Sequence, residues 1–108
     1  MGVNPAILIK KLRLDAEDGD LNAQKNLALL YYKGEDAGIE PDYIKSRKWA
    51  LIAANRGNSE AQSVLGNLYR EGLGGEQDFD KAIYWLEKAV AQGEFLAQIG
   101  LLMAKMRR

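Results

Sequence analysis

The stretch AQSVLGNLYREGLGG, residues 61–75, repeats one that the chain has used before, AQKNLALLYYKGEDAG at residues 23–38. Several identical residues recur at a spacing of 38, among them Ala23, Leu27, Tyr31 and Gly34 as Ala61, Leu65, Tyr69 and Gly72. Four more recur at a spacing of 36, namely Asp42, Lys45, Trp49 and Gly57 as Asp78, Lys81, Trp85 and Gly93. A third copy begins after Gly93 with Ala97 and Gln98. Repetition with this period is typical of a solenoid of paired helices.

The apolar residues of each copy follow the spacing of an amphipathic helix. Ala61, Leu65 and Leu68 lie at positions i, i+4 and i+7, and the first copy has the same pattern. Glycines at positions 34, 57, 72 and 93 stand where a left-handed residue ends a helix, and glycine adopts that conformation without a Cβ penalty. The pattern predicts no strand and six helices, near residues 5–18, 21–33, 42–56, 59–71, 79–92 and 95–106.

These helices predict an all-α fold, a right-handed α-α superhelix that forms a short solenoid of about six antiparallel helices. The single predicted domain, residues 1–108, divides into an N-terminal capping helix (1–19), two repeats (20–57 and 58–93) and a C-terminal capping helix (94–108). We call the first helix of each repeat first-type and the second helix second-type. The N-terminal cap is then a lone second-type helix, and the C-terminal cap is a lone first-type helix.

The spacing also locates a loop. Because the repeat distance falls from 38 to 36, a two-residue insertion lies between Gly34 and Asp42. Insertions are tolerated where the backbone is exposed, so we expect a surface loop there.

Composition argues against several classes of function. Lysine plus arginine equals aspartate plus glutamate, 15 against 15, so no net charge attracts nucleic acid. The chain has no histidine and no cysteine, which removes the commonest general base, the commonest metal ligand and any disulfide. The acidic run DAEDGD, residues 15–20, fits the ligand spacing of a calcium loop in neither register. We therefore expect no catalytic residue, no metal and no cofactor.

The N-terminal residues MGVNPAILIKKLRL contain an apolar run that is too short for a secretion signal. The same run is far too short to span a membrane. We expect a cytoplasmic location for the chain as given, or a periplasmic one if an export signal has been removed.

The pattern A-Q-x-x-L-G-x-L-Y-x-x-G-x-G, followed by D-x-x-K-A-x-x-W, occurs between Ala61 and Trp85. It resembles the Sel-one-like repeat, a relative of the tetratricopeptide repeat, and the resemblance covers two full units and two half units. Ala28 and Ser46 depart from the pattern, as do Leu102 and Lys105 in the last half unit, where packing rules relax. The resemblance implies a non-catalytic adaptor, regulator or inhibitor that binds another protein, usually bacterial at this size.

Small residues at repeated positions would let the helix backbones approach closely, and Trp49 and Trp85 would fill the gaps between successive hairpins. The predicted repeat core consists of Ala23, Leu27, Tyr31, Trp49, Ala61, Leu65, Gly66, Tyr69, Ala82 and Trp85. These residues specify a scaffold, so the function must lie elsewhere.

A partner is expected on the first-type helices, which line the concave face of such arrays. By analogy with tetratricopeptide proteins, the predicted partner-binding residues are Lys25, Leu29, Tyr32, Asn67, Arg70, Ile99, Met103 and Met106. The last three are apolar and lie on a helix that no later repeat covers.

Three interpretations of the last helix remain open on sequence alone. It could complete a groove for a peptide or protein segment, or it could rotate and bury its apolar residues against helix 79–92. It could also pair with a second copy about a twofold axis. The first interpretation leads, with the self-associating scaffold as its alternative.

Overall fold

The computed structural model describes residues 4–108, apart from the side chains of residues 36 and 37. Within this range the chain forms the predicted six helices and no strand, which confirms the all-α solenoid. The helices are α1 (Pro5–Glu17), α2 (Leu21–Lys33), α3 (Tyr43–Asn55), α4 (Ser59–Glu71), α5 (Phe79–Ala91) and α6 (Ala97–Arg107), with a short 3₁₀ helix at Gly34–Ala37. Helices α2, α4 and α6 are first-type, and α1, α3 and α5 are second-type.

Short polar side chains fix the starts of the first five helices. The side-chain oxygens of Asn4, Asp20, Asp42, Asn58 and Asp78 each accept a hydrogen bond from a backbone N–H two or three residues on, at 2.9–3.0 Å. Such caps satisfy donors that the first turn leaves without a partner. Asp42 is therefore the cap of α3, and not its first helical residue as predicted.

The predicted start of the last helix, at residue 95, is wrong by two residues, since α6 begins at Ala97. Glu94 occupies the position that Asn58 holds one repeat earlier. A glutamate is too long for the cap geometry, and its carboxylate instead accepts a hydrogen bond from the Ser59 hydroxyl at 2.8 Å. The helix consequently begins without a side-chain cap.

The prediction that Gly34 adopts the left-handed helical conformation is also wrong. Gly34 has φ 43° and ψ −77°, and the left-handed residue is Gly38, after the 3₁₀ turn. The backbone and ring of Pro41 occupy the space that a Cβ on Gly34 would need. Glycine is therefore required here for the close approach of Pro41, whereas Gly72 adopts the predicted left-handed cap, with φ 70° and ψ 34°.

Consecutive helices pack against each other along the whole stack, which measures 44 × 24 × 24 Å. The first-type helices also touch, because α2 packs on α4 and α4 packs on α6. Among the described residues, successive second-type helices make far less contact with each other. The first-type helices therefore form one continuous side of the stack, which we call its inner side.

The predicted core residues lie between the helices. Leu27, Leu65, Gly66, Ala61 and Ala82 are buried, together with Ala23, Trp49 and Trp85, while Tyr31 and Tyr69 are partly buried. Trp85 lies on α5 but packs in the cluster that α1 to α4 form, so it joins two successive hairpins.

At the point where the two helices of a hairpin approach most closely, the two hairpins use different pairs of residues. A Cβ built on Gly66 would lie 2.5 Å from the side chain of Leu86 and 3.2 Å from the carbonyl oxygen of Ala82. One repeat earlier, Ala28 stands at the position of Gly66 and Ala50 at that of Leu86. A glycine therefore faces a leucine in one hairpin, and an alanine faces an alanine in the other.

We predict that Gly66→Ala and Leu86→Ala compensate each other. Gly66→Ala alone should destabilise the protein by about 1–3 kcal/mol through overpacking, and Leu86→Ala alone by about 2–5 kcal/mol through a cavity. The double variant recreates the pair found in the first hairpin, so its loss should be clearly smaller than the sum. Urea denaturation followed by circular dichroism measures the cycle. If the loss in the double variant equals the sum of the two single losses, the side chains at positions 66 and 86 do not compete for the same volume.

Candidate functional site

The predicted partner-binding residues all lie on the first-type helices α2, α4 and α6, but their exposure differs between the two ends of the stack. On α2 and α4 the five residues are half-buried, and these are Lys25, Leu29, Tyr32, Asn67 and Arg70. On α6 the side chains of Ile99, Met103 and Met106 are 62%, 46% and 74% exposed. The predicted binding residues are thus half-buried on α2 and α4, whereas those on α6 are apolar and exposed.

The rotated arrangement of the last helix is not observed. Ala97, Gly100 and Ala104 form the buried side of α6, which leaves Ile99 and Met103 outward. Gly100 allows a close approach to α4 in this orientation, because a Cβ there would lie 2.5 Å from the Asn67 side-chain oxygen and would require that side chain to move. A glycine within a helical pattern is the sequence signal for such close approach.

Two polar contacts join α2 to α4 across the inner surface. Near the start of the two helices, the Lys25 ammonium lies 3.4 Å from the Glu60 carboxylate. Near their ends, the Tyr32 hydroxyl donates a hydrogen bond to Glu71 Oε1 at 2.8 Å. Lys25 and Tyr32, two of the three predicted partner-binding residues on α2, are therefore already held by α4.

The environment of Tyr32 keeps its hydroxyl protonated. Burial raises the pKa of this phenol well above its usual range, and the hydrogen bond and negative charge of Glu71 raise it further. The Tyr32 ring also meets the Tyr43 ring edge-on, with the ring centroids 6.1 Å apart. Tyr32 is therefore a fixed hydrogen-bond donor at neutral pH.

Arg70 is oriented by two neighbours on its own helix. Its Nε and Nη2 both lie 3.3 Å from Asn67 Oδ1, and Nη2 lies 3.2 Å from Glu71 Oε1. Because Glu71 also accepts the hydrogen bond of Tyr32, these four side chains form one connected network. The network holds the guanidinium of Arg70 at the edge of the apolar surface of α6.

A cavity of about 260 Å³ opens beside this network, between the end of α4, the start of α5 and the end of α6. Its lining residues are Arg70, Glu71, Gln77, Phe79, Met103 and Arg107. The structure thus brings Arg70 and Met103 of the predicted set together. The sequence analysis did not predict Gln77 or Phe79 as site residues, because Gln77 lies in the connection before α5 and Phe79 is the first residue of that second-type helix.

The exposed side of α6, together with Phe95 two residues before the helix, carries a second apolar feature that shares Ile99 and Met106 with the predicted binding residues. Phe95, Ile99, Leu102 and Met106 follow one another at spacings of four, three and four residues, and they are 76%, 62%, 61% and 74% exposed. This is the spacing of a coiled-coil seam. We call these four residues the α6 seam.

Neither a membrane span nor a metal cluster is found in the part of the chain that the structure describes. No helix in residues 4–108 is both long enough and apolar enough to cross a membrane. The same residues contain no group of three or more carboxylate, histidine or cysteine side chains that could hold a metal ion. What the inner surface offers is apolar area, a fixed phenol and two arginines, a set suited to binding a polypeptide.

Comparison with known proteins agrees with this architecture. Residues 21–58 and 59–94 match the model of the Sel1 repeat. The chitin synthase regulator SKT5 of Saccharomyces cerevisiae is 38% identical over 66% of the chain. A component of an ERAD-associated E3 ubiquitin-protein ligase of Arabidopsis thaliana, HRD3A, is 33% identical over 58%. These matches span only 10% and 9% of the two relatives' own lengths.

Among solved structures, a Sel1 repeat protein from Oxalobacter formigenes superposes on 83% of the chain with a TM-score of 0.75 and 34% sequence identity. The match covers 25% of that protein. The likeness therefore extends over nearly all of this chain but only over part of the larger one.

We predict that Tyr32→Phe lowers the free energy of unfolding by about 1 kcal/mol at pH 7, because it removes the hydrogen bond to Glu71 but keeps the ring. As the pH rises above about 10, the unfolded chain of the unmodified protein loses the phenol proton that the folded chain retains. Its stability should therefore fall more steeply between pH 9 and 11 than that of the Tyr32→Phe variant. Urea denaturation at both pH values tests this, and equal slopes would contradict it.

Proposed function

We propose that this chain, which belongs to the Sel1 repeat family, is a non-catalytic module that binds a segment of another protein on its inner surface. Proteins of this family mediate protein–protein interactions. The observation that carries the proposal for this chain is the exposure of Ile99, Met103 and Met106 on α6, the last of the first-type helices. An exposed apolar patch rimmed by polar groups is characteristic of an interaction site.

The relatives' names support the same kind of role. The yeast protein is named a regulator of chitin synthase, and the Arabidopsis protein is named a component of a ubiquitin-ligase assembly. By analogy we propose an adaptor, regulator or inhibitor role for this chain. The lack of histidine and cysteine in its 108 residues supports a role without catalysis.

The two halves of the inner surface suit different parts of a bound segment. Methionine side chains are flexible and polarisable, so Met103 and Met106 can adapt to apolar side chains of more than one shape. Arg70 and Asn67 are held by their neighbours and can give fixed hydrogen bonds, which set orientation. A segment lying across α4 and α6 would therefore place apolar residues on α6 and polar groups over α4.

We expect a groove variant, Tyr32→Gln with Met103→Gln, to lose partner capture while keeping its helical content. Glutamine forms helices well, and Met103 is nearly half exposed, so the second change should perturb binding more than folding. The measurement is affinity capture from cell lysate with the intact chain as bait, followed by mass spectrometry of the proteins that the variant no longer retains. Circular dichroism at 222 nm checks the fold.

A matched control places the same changes on second-type helices. Ile44 is 73% exposed on α3 and Tyr84 is 54% exposed on α5. The variant Ile44→Gln with Tyr84→Gln should retain the captured proteins. If the groove variant and this control retain the same set, the inner surface is not the binding site.

A second candidate function is self-association as a structural scaffold, and the α6 seam favours it. Ile99, Leu102 and Met106 lie within α6 at the spacing at which two helices pack knobs into holes, and Phe95 lies two residues before the helix. In an antiparallel pair, Ile99 would meet Leu102 of the other copy, and Phe95 would meet Met106. Gln98 and Lys105 would flank the apolar contacts. Gln98 is uncharged, so it would not repel a lysine of the other copy. A twofold interface of this kind needs only one surface patch.

If the scaffold role holds, light scattering over a concentration series should give twice the monomer mass at high concentration. Leu102→Glu should return the protein to a monomer, because it places a charge in the middle of the seam. Ile44→Glu, at an apolar position on α3 that is also exposed, should leave the dimer intact. A monomer at every concentration of the unmodified chain would exclude self-association.

A further inference from the structure

We propose that the cavity lined by Arg70, Phe79, Met103 and Arg107 binds an acidic side chain, aspartate or glutamate, of the segment that the inner surface takes. The inference rests on the proposed protein-binding function and specifies the chemistry of the partner at one position. It is carried by the charges, walls and size of this cavity.

The charges in the cavity favour an anion. Arg70 and Arg107 contribute two positive charges, and Glu71 contributes one negative charge. The Glu71 carboxylate already accepts hydrogen bonds from Tyr32 at 2.8 Å and from Arg70 at 3.2 Å. The cavity therefore carries a net charge of one positive unit, and the Glu71 carboxylate is already hydrogen-bonded within the protein. A second carboxylate, brought by the partner, would balance it.

Arg70 is already held in position before any partner binds. Arg70 is held by Asn67 and Glu71, and its side chain is only 19% exposed. An arginine held in this way loses less side-chain entropy when it binds a carboxylate than a freely rotating one. The Gln77 side chain adds to the order of the site, because it donates a hydrogen bond to the Arg70 carbonyl at 2.8 Å.

The walls and the volume suit one side chain. Phe79 and Met103 offer apolar area to the methylene groups of a glutamate or an aspartate, while the arginines face its carboxylate. At about 260 Å³ the cavity is smaller than the roughly 300–1,000 Å³ of sites for small molecules and cofactors. The geometry therefore favours a single inserted residue over a separate ligand.

The position of the cavity favours a side chain over a chain end. Met103 both lines the cavity and belongs to the exposed apolar residues of α6, so the cavity opens directly onto the inner surface. Apolar surface continues past it to Ile99 and Met106 on the same helix. A segment that uses this surface would run past the cavity and insert one residue into it.

Three peptides test the inference by NMR titration of the intact chain, with the arginine Nε–H and glutamine amide signals as reporters. The first is acetyl-Leu-Glu-Leu-amide, the second is acetyl-Leu-Gln-Leu-amide, and the third is acetyl-Leu-Gln-Leu with a free C-terminal carboxylate. We expect saturable shifts of the Arg70, Arg107 and Gln77 side-chain signals with the first peptide. Its affinity should exceed that of the second by about tenfold, since a charge-assisted bond to arginine is replaced by a neutral one.

Two variants check that the preference comes from the cavity. Arg107→Gln should reduce the preference for the glutamate peptide about three- to tenfold, and raised salt should reduce it further. Arg107 lies in the last turn of α6 and is exposed, so this change should not affect folding. Arg13→Gln is the matched control, because Arg13 is an exposed arginine on α1, and it should leave the affinities unchanged.

Equal affinity for the glutamate and glutamine peptides, or no saturable shift, would overturn the inference. A preference for the third peptide over the first would also overturn it, since the cavity would then select a chain end. These outcomes leave the proposed function standing as long as the groove variant loses captured protein. Conversely, a groove variant that still captures its partners would reject the proposed function whatever the peptides do.

Discussion

The close approach of paired helices at small side chains is the constraint on which the rest of the structure depends. Gly66 lets the side chain of Leu86 lie against the backbone of α4. Ser46 lies directly against α2 and donates its hydroxyl to the Ala28 carbonyl at 2.7 Å. With each hairpin closed in this way, the tryptophans can fill the space between hairpins, and the first-type helices come into mutual contact. The inner surface exists because these distances are short.

Buried glutamines then join each hairpin to the helix before it. The Gln24 amide donates to the Ala16 carbonyl at 3.1 Å and accepts from Arg56 at 3.0 Å. One repeat later, Gln62 donates to the Ala54 carbonyl at 3.3 Å and accepts from Gln92 at 2.8 Å. Each glutamine thus bonds a helix on either side of its own, and its buried amide is satisfied. These bonds set the order of the helices as well as their spacing.

The sequence predicted the helices well because the repeat itself carries the information. Equivalent glycines, tryptophans and short polar caps recur at the same positions of each copy, so the helices predicted in one copy support those predicted in the other. The start of α6 and the conformation of Gly34 were predicted wrongly where the copies differ, at Glu94 and next to Pro41. The predicted partner-binding residues were chosen from equivalent positions of the repeat in the same way. The cavity was not predicted, because Gln77 belongs to a connection, and the path of that connection, which also positions Phe79 at the start of α5, depends on tertiary contacts rather than on periodicity.

The departure at Leu102 explains why the surface of α6 differs from those of α2 and α4. In α2 and α4 the equivalent residues are Ala28 and Gly66, and both are buried under the following second-type helix. A single added Cβ at Gly66 would already reach the Leu86 side chain, so a leucine cannot be accommodated in that close approach. A helix that packs on α6 must therefore lie farther away or present a small residue opposite Leu102. The apolar area of α6 is for this reason suited to a partner of different geometry from the repeat that precedes it.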